Sequence, residues 1–210
     1  MKREGSVNLF HYWNRLRDGR PAPKRTEVEP ADIKAHLGDT FILESDSRGE
    51  AVFRLAGTRL CAIYGRELKG FAFSSLWRDK DCQMMSRLVS GVFQDKTVLV
   101  VAYQGLTRSN RSLPLELLLL PLEGGEENRR ALGIISPETK PFWLGADPIT
   151  EATLQTVRVV DPDREPFLLK SRAAQPETNP VKLPPQMPDL VRDGARRIRH
   201  LVVLPGGRAG

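Results

Sequence analysis

The order of the periodic segments along the chain is the feature that most limits its fold. Two short β-prone runs, TFILES and AVFRLA, are separated by the turn-forming residues DSRGE and predict a hairpin. Three further strand-like runs, TVLVVAY, LPLELLLLPL and RALGIIS, come later, and the pattern between the two groups is helical. This order predicts an α+β domain with a five-stranded antiparallel sheet and helices on one face.

The stretch between the two groups of strands is punctuated by glycines. GTRLCAIYGRELKG places Gly57, Gly65 and Gly70 too far apart for a dinucleotide-binding loop, and no Gly-Lys-Ser/Thr ending indicates a P-loop. Because glycine adopts positive φ at little cost, these positions predict turns between short helical segments. We expect Arg66 and Glu67 to tie this crossover to its neighbours rather than to bind phosphate.

The longest predicted helix, KDCQMMSRLVSGVFQDK, carries an apolar stripe at helical spacing. Together with the crossover and two strands, this helix would surround one apolar region. Two interpretations of that region stay open, a filled core and a pocket for a small apolar ligand. The candidate pocket residues are Trp77, Met85, Leu88, Val89, Tyr103 and Leu117.

Apolar residues near the N-terminus follow the i, i+3, i+4, i+7 spacing of a helix. Such a helix either packs on the domain or pairs with its copy, and aromatic side chains supply much of the binding energy of small interfaces. We therefore expect a homodimer or docking contact here, with Leu9, Tyr12, Trp13 and Leu16 as candidate interface residues. The predicted organisation is an N-terminal helical extension over 1–38, a core over 39–140 and an irregular, proline-rich basic tail over 141–210.

The crossover GTRLCAIYGRELKGFAFSSLW and the penultimate strand SLPLELLLLPL resemble those of a PAS domain. More narrowly, they resemble the small bacterial PAS proteins that are largely one sensory-type domain, over about residues 5–140. The resemblance implies a sheet in the order 2-1-5-4-3 and a pocket between that sheet and the helices. It also implies a regulatory role in signal transduction, since PAS domains hold haem, flavin, small metabolites or nothing, and many are dimerising or docking modules.

The residues support neither coloured cofactor of this family. Haem in this fold needs an axial ligand, usually a histidine on or near the long helix, but His11, His36 and His200 all lie outside 57–122. A photoactive flavin site would resemble Asn-Cys-Arg-Phe-Leu-Gln after the crossover glycine, where this chain has GFAFSSLW and where Cys61 comes about nine residues too early. A haem- or flavin-binding sensor is kept as the alternative function, and the cofactor stays unknown.

The sequence carries no acid–base pair and no nucleophile motif, so we expect a protein that is not an enzyme. Two cysteines, Cys61 and Cys82, are too few for a disulfide framework or a zinc site. The longest apolar stretch, Leu115 to Leu122, is too short to cross a membrane, and the N-terminus lacks the apolar region of a signal peptide. We therefore expect a cytosolic protein without membrane contact.

The formal net charge of +6 raises the question of nucleic acid. The densest basic cluster, RDGARRIRH, has no accompanying nucleic-acid-binding motif, so a solvated tail is favoured and weak nucleic-acid binding is a second alternative. The last apolar run, LVVL, predicts a short strand that can add to a sheet edge. The predicted function is a non-enzymatic regulatory protein that acts on a protein partner of a signalling pathway and is tuned by a small apolar ligand.

Overall fold

A computed structural model describes residues 1–124 and 129–163, together with the backbone of 196–198 and 201–203. The chain divides into two compact units, Met1–Ala173 and Ala174–Gly210. The helices of the first unit are α1 (Glu4–Arg17), α2 (Thr58–Tyr64) and α3 (Asp79–Gln94). Its strands are β1 (Thr40–Ser45), β2 (Ala51–Ala56), β3 (Val98–Thr107), β4 (Ser112–Leu122), β5 (Arg130–Pro137) and β6 (Ile149–Val160). No described helix is both long enough and apolar enough to cross a membrane.

The six strands form one antiparallel sheet in the order β2-β1-β5-β4-β3-β6. The first five positions confirm the predicted order. The prediction of five strands is corrected by β6, which pairs with β3 from Val98 opposite Val160 to Thr107 opposite Ile149. This strand lies in the segment predicted to be an irregular tail, because the proline-rich sequence that follows it dominated that prediction, whereas its own threonines and valines are β-prone.

Side-chain alternation along the sheet produces two cores. In β4, Leu117 and Leu119 belong to an inner core shared with α2 and α3, whereas Leu118 and Leu120 belong to an outer core shared with α1. A nearly continuous run of leucines suits a central strand that is buried on both faces. The predicted N-terminal extension is therefore a second helical layer, on the face opposite α2 and α3.

Helix α1 packs on its own domain, which is one of the two arrangements that its apolar stripe predicted. Trp13 is fully buried, and its indole N–H donates to the Pro121 carbonyl at 2.8 Å. At the start of the helix, the backbone N–H groups of Lys2 and Arg3 donate to the Glu116 carboxylate at 2.8 and 3.2 Å. The candidate interface residues lie in this outer core, Leu9, Tyr12 and Trp13 as buried members and Leu16 as a partly buried one.

Both edge strands of the sheet are partly covered by other segments of the chain. Beside β2, Phe53 exchanges backbone hydrogen bonds with the loop through Gly70 and Phe71, at 2.8 and 2.9 Å. Beside β6, the N–H of Arg78 donates to the Ala152 carbonyl at 3.1 Å. These contacts satisfy backbone groups that an edge strand would otherwise expose.

In the second unit, β7 (Arg196–Ile198) and β8 (Leu201–Val203) pair antiparallel. A strand in the last apolar run is thus present, and its partner is β7. The side chains of the predicted basic cluster lie outside the described residues, as does the proline-rich segment 164–195.

Candidate functional site

A chain of aromatic rings fills the interior between the sheet and the inner helices. Phe41 contacts Phe53 with ring centroids 5.4 Å apart, and Phe53 contacts Phe73 at 5.8 Å. The ring contacts continue from Phe73 to Trp77, with centroids 5.9 Å apart, and from Trp77 to Tyr103, with centroids 5.0 Å apart. All five rings are buried, and they come from β1, β2 and β3 and from the segment Phe73 to Trp77.

The six candidate pocket residues come together in this interior. Trp77, Met85, Val89, Tyr103 and Leu117 are buried members of the inner core, and Leu88 packs at its margin. A ligand among these residues would need buried side chains to move apart. The filled core and the pocket both stay predictions.

Polar groups are present inside this apolar region. The hydroxyls of Tyr64 and Tyr103 lie 2.9 Å apart and are each other's hydrogen-bond partner. Burial raises the pKa of Tyr64 to about 12, although the hydrogen bond from Tyr103 opposes the shift. Burial, and then the neighbouring Tyr64, raise the pKa of Tyr103 well above its usual value. Both phenols are therefore neutral, and the buried Trp77 indole N–H has no acceptor among the described residues.

The interior does not fit a haem or a flavin. A fused ring system would have to displace the aromatic contacts that join Phe41 to Tyr103. Among the described residues no three His, Cys, Asp or Glu side chains are grouped as metal ligands. The described residues include two histidines, and neither belongs to the inner core. His11 is exposed on α1, and the Nε2 atom of His36 lies 3.3 Å from the side-chain nitrogen of Asn8.

The cysteines do not form a flavin-adduct site either. The Cys61 thiol is on α2 and faces the Glu67 carboxylate at 3.7 Å. The Cys82 thiol donates to the carbonyls of Ser74 and Trp77, both at 3.3 Å, and burial, followed by two nearby aspartates, raises its pKa. Cys82 is therefore a neutral thiol in a packing role.

A second, more open region lies at one end of the inner layer. A cavity of about 420 Å³ is bounded by the end of α2, the Phe73–Leu76 turn, the β3–β4 hairpin and the start of β6. Its lining residues are Tyr64, Gly65, Arg66, Ser75, Leu76, Arg108, Pro148, Ile149 and Thr150. We call this region the α2–β6 groove. Its phenol at Tyr64 connects it to the buried tyrosine pair.

The crossover residues Arg66 and Glu67 both contact neighbours, but they do so separately. The Arg66 guanidinium donates to the Ser75 hydroxyl at 3.1 Å and lies 4.8 Å from the centre of the Phe71 ring. The Glu67 carboxylate instead accepts the backbone N–H of Lys69 at 3.3 Å. Arg66 is therefore held at the groove without a carboxylate partner among the described residues.

Sequence reasoning missed the Tyr64–Tyr103 hydrogen bond and the placement of Arg108 at the same cavity as Arg66. The helical spacing of the crossover places Tyr64 on its inner face, and strand alternation places Tyr103 inward. Their meeting depends on how α2 lies over β3, which no local pattern specifies. Arg108 follows a strand directly, and this position at a hairpin turn was the available signal.

The sequence profile of the PAS domain family matches residues 1–136. This match covers more than half of the chain, and the protein therefore belongs to the PAS domain family, a family of signal-sensing modules. The fold just described agrees with that membership, since the predicted strand order is present. No curated protein matches the chain significantly.

Several solved structures are similar in fold. A Rhodobacter sphaeroides LOV protein shares 17% identity at a TM-score of 0.39, over 50% of this chain and 61% of its own. The PAS domain of an HTR-like protein from Haloarcula marismortui shares 19% identity at a TM-score of 0.38, over 51% and 89% of the two chains. The PAS domain of a Colwellia psychrerythraea protein shares 19% identity at a TM-score of 0.38, over 54% and 100%. With likenesses this distant, the family assignment rests on the sequence profile.

Proposed function

We propose that this PAS protein is a cytosolic, non-enzymatic regulator that signals through contacts with a protein partner and whose conformation a small molecule tunes. The observation that carries the proposal is the closed aromatic interior between the sheet and the helices. It joins β1 and β2 to β3 through Phe73 and Trp77. Its polar groups are neutral phenols and an indole rather than a set of acid and base groups. Such an interior suits a change of packing rather than a chemical step.

The two helical layers suggest how a change would be transmitted. Helix α3 packs on the inner face of the sheet, and α1 packs on the outer face over β4 and β5. Because β4 contributes side chains to both cores, a repacking of the inner core alters the surface on which α1 rests. A ligand or partner that binds one arrangement better than the other would shift the population between them.

A small apolar ligand would act at the candidate pocket only in a conformation that opens it. The unpartnered Trp77 indole N–H is a donor available to such a ligand, beside the Tyr103 ring. Binding would thus combine apolar contact with one hydrogen bond.

Partner contact is expected at exposed apolar side chains rather than through the face of α1. The α1 residues Tyr12 and Trp13 are occupied by intramolecular packing, so a homodimer would use other surfaces. Phe142 is 94% exposed and is our candidate for such a contact, because aromatic side chains supply much of the binding energy of interfaces.

Native mass spectrometry of the freshly purified full chain tests this proposal. We expect a homodimer or a retained partner protein, with any retained small molecule lighter than a flavin or a haem. The same preparation is expected to lack the absorption bands that haem or flavin would give between about 350 and 500 nm. A mass increment and absorbance that match either cofactor would favour the cofactor-sensor alternative, and a lone chain that finds no partner on cross-linking in cells would contradict signalling by protein contact.

A further inference from the structure

The α2–β6 groove carries positive charge that the described residues leave uncompensated. Arg66 and Arg108 are exposed and line the same cavity, and neither lies within ion-pair distance of a described carboxylate. Some other surface arginines of this unit have a carboxylate partner, as Arg59 has Asp39 at 2.6 Å. Two guanidiniums at one cavity without a partner carboxylate create a local positive potential that favours an anion.

An acidic group on the hairpin side, Asp147, is already engaged. The Asp147 carboxylate accepts the Thr107 hydroxyl at 2.8 Å and lies 3.9 Å from the Arg111 guanidinium. These contacts fix the β3–β4 hairpin to the segment before β6, and they direct the charge of Asp147 toward Arg111. Arg108, one residue after Thr107, is thereby left facing solvent at the groove.

The two sides of the groove meet in a close contact. Gly65 has φ of +63°, and a Cβ atom there would overlap the Pro148 ring. The lack of a side chain at Gly65 lets Pro148 pack directly against the end of α2. The groove is thus a formed feature whose walls come from elements far apart in sequence.

The lining of the groove combines apolar side chains with the polar residues Ser75 and Thr150. Leu76 and Ile149 are buried at 2% exposure each, and both line the cavity together with Pro148 and Tyr64. Arg66 is positioned in advance by its hydrogen bond to Ser75 and by the Phe71 ring. A ligand with one oxyanion group and a compact apolar body would satisfy both features of this lining.

We propose that the α2–β6 groove binds a small organic anion, with its carboxylate or phosphate group between Arg66 and Arg108 and its apolar body against Leu76 and Ile149. This inference goes beyond the proposed function, because it adds a second site outside the candidate pocket, and it rests on that function only for its biological role as a signal input. A ligand held in this way connects the helical layer to the β3–β4 hairpin and β6. It also contacts Tyr64, whose hydroxyl reaches the aromatic interior through Tyr103.

NMR titration of the full chain at low salt tests the site. The probes are phenyl phosphate and benzoate, which share an oxyanion on an aromatic ring, with benzyl alcohol as the neutral control and inorganic phosphate as the anion without an apolar body. We expect both aromatic anions to shift the amide signals of Gly65, Arg108 and Thr150, with the tighter of the two identifying the preferred anionic group. We expect benzyl alcohol and inorganic phosphate to bind at least about tenfold more weakly.

Three variants distinguish binding at the α2–β6 groove from non-specific attraction of anions to a basic protein. Arg66→Gln and Arg108→Gln are each expected to weaken binding of the better probe about tenfold, because each removes one charged donor. Arg87→Gln is the matched control, since Arg87 is an exposed arginine on α3 outside the groove, and it is expected to leave binding unchanged. All three side chains are exposed, so the amide spectra are expected to show a preserved fold.

Equal weakening by Arg87→Gln would overturn the site, as would the absence of shifts at the groove amides with either aromatic anion. Binding of inorganic phosphate as tight as phenyl phosphate would overturn the role of the apolar walls. The result is independent of the oligomeric state. A chain that binds the probe but finds no protein partner keeps the site and loses the proposed function, whereas a chain that finds its partner but ignores the probes loses the site alone.

Discussion

Tyr64 and Tyr103 bury two hydroxyls that are satisfied by each other. Removing one hydroxyl leaves the other buried and unpaired, which costs about 1–3 kcal/mol, whereas removing both is close to neutral. We expect Tyr64→Phe and Tyr103→Phe each to lower the free energy of unfolding by that amount, and the double variant to lose clearly less than the sum. Urea denaturation of the three variants measures the coupling energy, and strictly additive losses would contradict the hydrogen bond.

The same pair predicts how stability depends on alkaline pH. The folded state raises the pKa of Tyr64 to about 12 and raises the pKa of Tyr103 well above its usual value, so folding favours the protonated phenols. Their contribution is complete below pH 10, the ordinary pKa of tyrosine, and is lost as pH rises toward 12. We expect the free energy of unfolding to fall in that range by up to about 1.4 kcal/mol per pH unit for each group. The Tyr64→Phe/Tyr103→Phe double variant should show a shallower loss in urea titrations across this range, and an unchanged slope would contradict this explanation.

At the scale of elements, α1 is predicted to be part of the domain core. Trp13→Ala removes a fully buried indole and its hydrogen bond to Pro121, so the free energy of unfolding should fall by about 3–5 kcal/mol. His11→Ala on the exposed face of the same helix is the control and should change stability little. Thermal denaturation at several protein concentrations makes the measurement. A Trp13→Ala loss that appears only at concentrations where the protein is oligomeric would instead support the candidate dimer contact.

The added strand β6 gives a second prediction at this scale. The chain shortened to 1–163 keeps β6. The chain shortened to 1–140 lacks β6, so it exposes the edge of β3 and loses the inner-core residues Ile149 and Ala152. We expect the 1–163 chain to unfold at nearly the same urea concentration as the full chain, and the 1–140 chain to unfold much earlier or to aggregate. Equal midpoints for the two shortened chains would show that β6 contributes nothing.

An element could be predicted from the sequence when the residues of that element alone carry its pattern. The first five strands and α3 have strong periodic patterns, and their order implied the sheet. The inner-core residues of β6, Ile149, Ala152 and Leu154, are not evenly spaced, because its pairing with β3 has two register shifts, and the neighbouring proline-rich segment outweighed this weak signal. For α1 the apolar stripe was clear, but its target was not, because a stripe that packs on a sheet looks the same as one that packs on a second chain. The α2–β6 groove depends on the Gly65–Pro148 contact between distant segments, which sequence periodicity does not report.

At the scale of the whole molecule, the net charge of +6 bears on the alternative of nucleic-acid binding. If that alternative holds, association of the full chain with nucleic acid falls steeply as salt rises, and the chain shortened to 1–163 loses it. We expect only weak association at low salt, absent near physiological salt, because no base-reading motif accompanies the charge. Fluorescence anisotropy with a labelled oligonucleotide at several salt concentrations measures both chains. Tight binding that survives physiological salt would contradict the expectation.

The coverage of the two outer strands has a consequence for solubility under crowded conditions. The Gly70–Phe71 loop pairs with the backbone of Phe53 at one margin of the sheet. Arg78, together with the Asp81 carboxylate that accepts the Leu154 N–H at 3.0 Å, occupies backbone groups in the first half of β6 at the other margin. Fibril growth by backbone pairing is hindered at these positions. Agents that loosen the start of α3 would expose the first half of β6 to such pairing before the rest of the fold is disturbed.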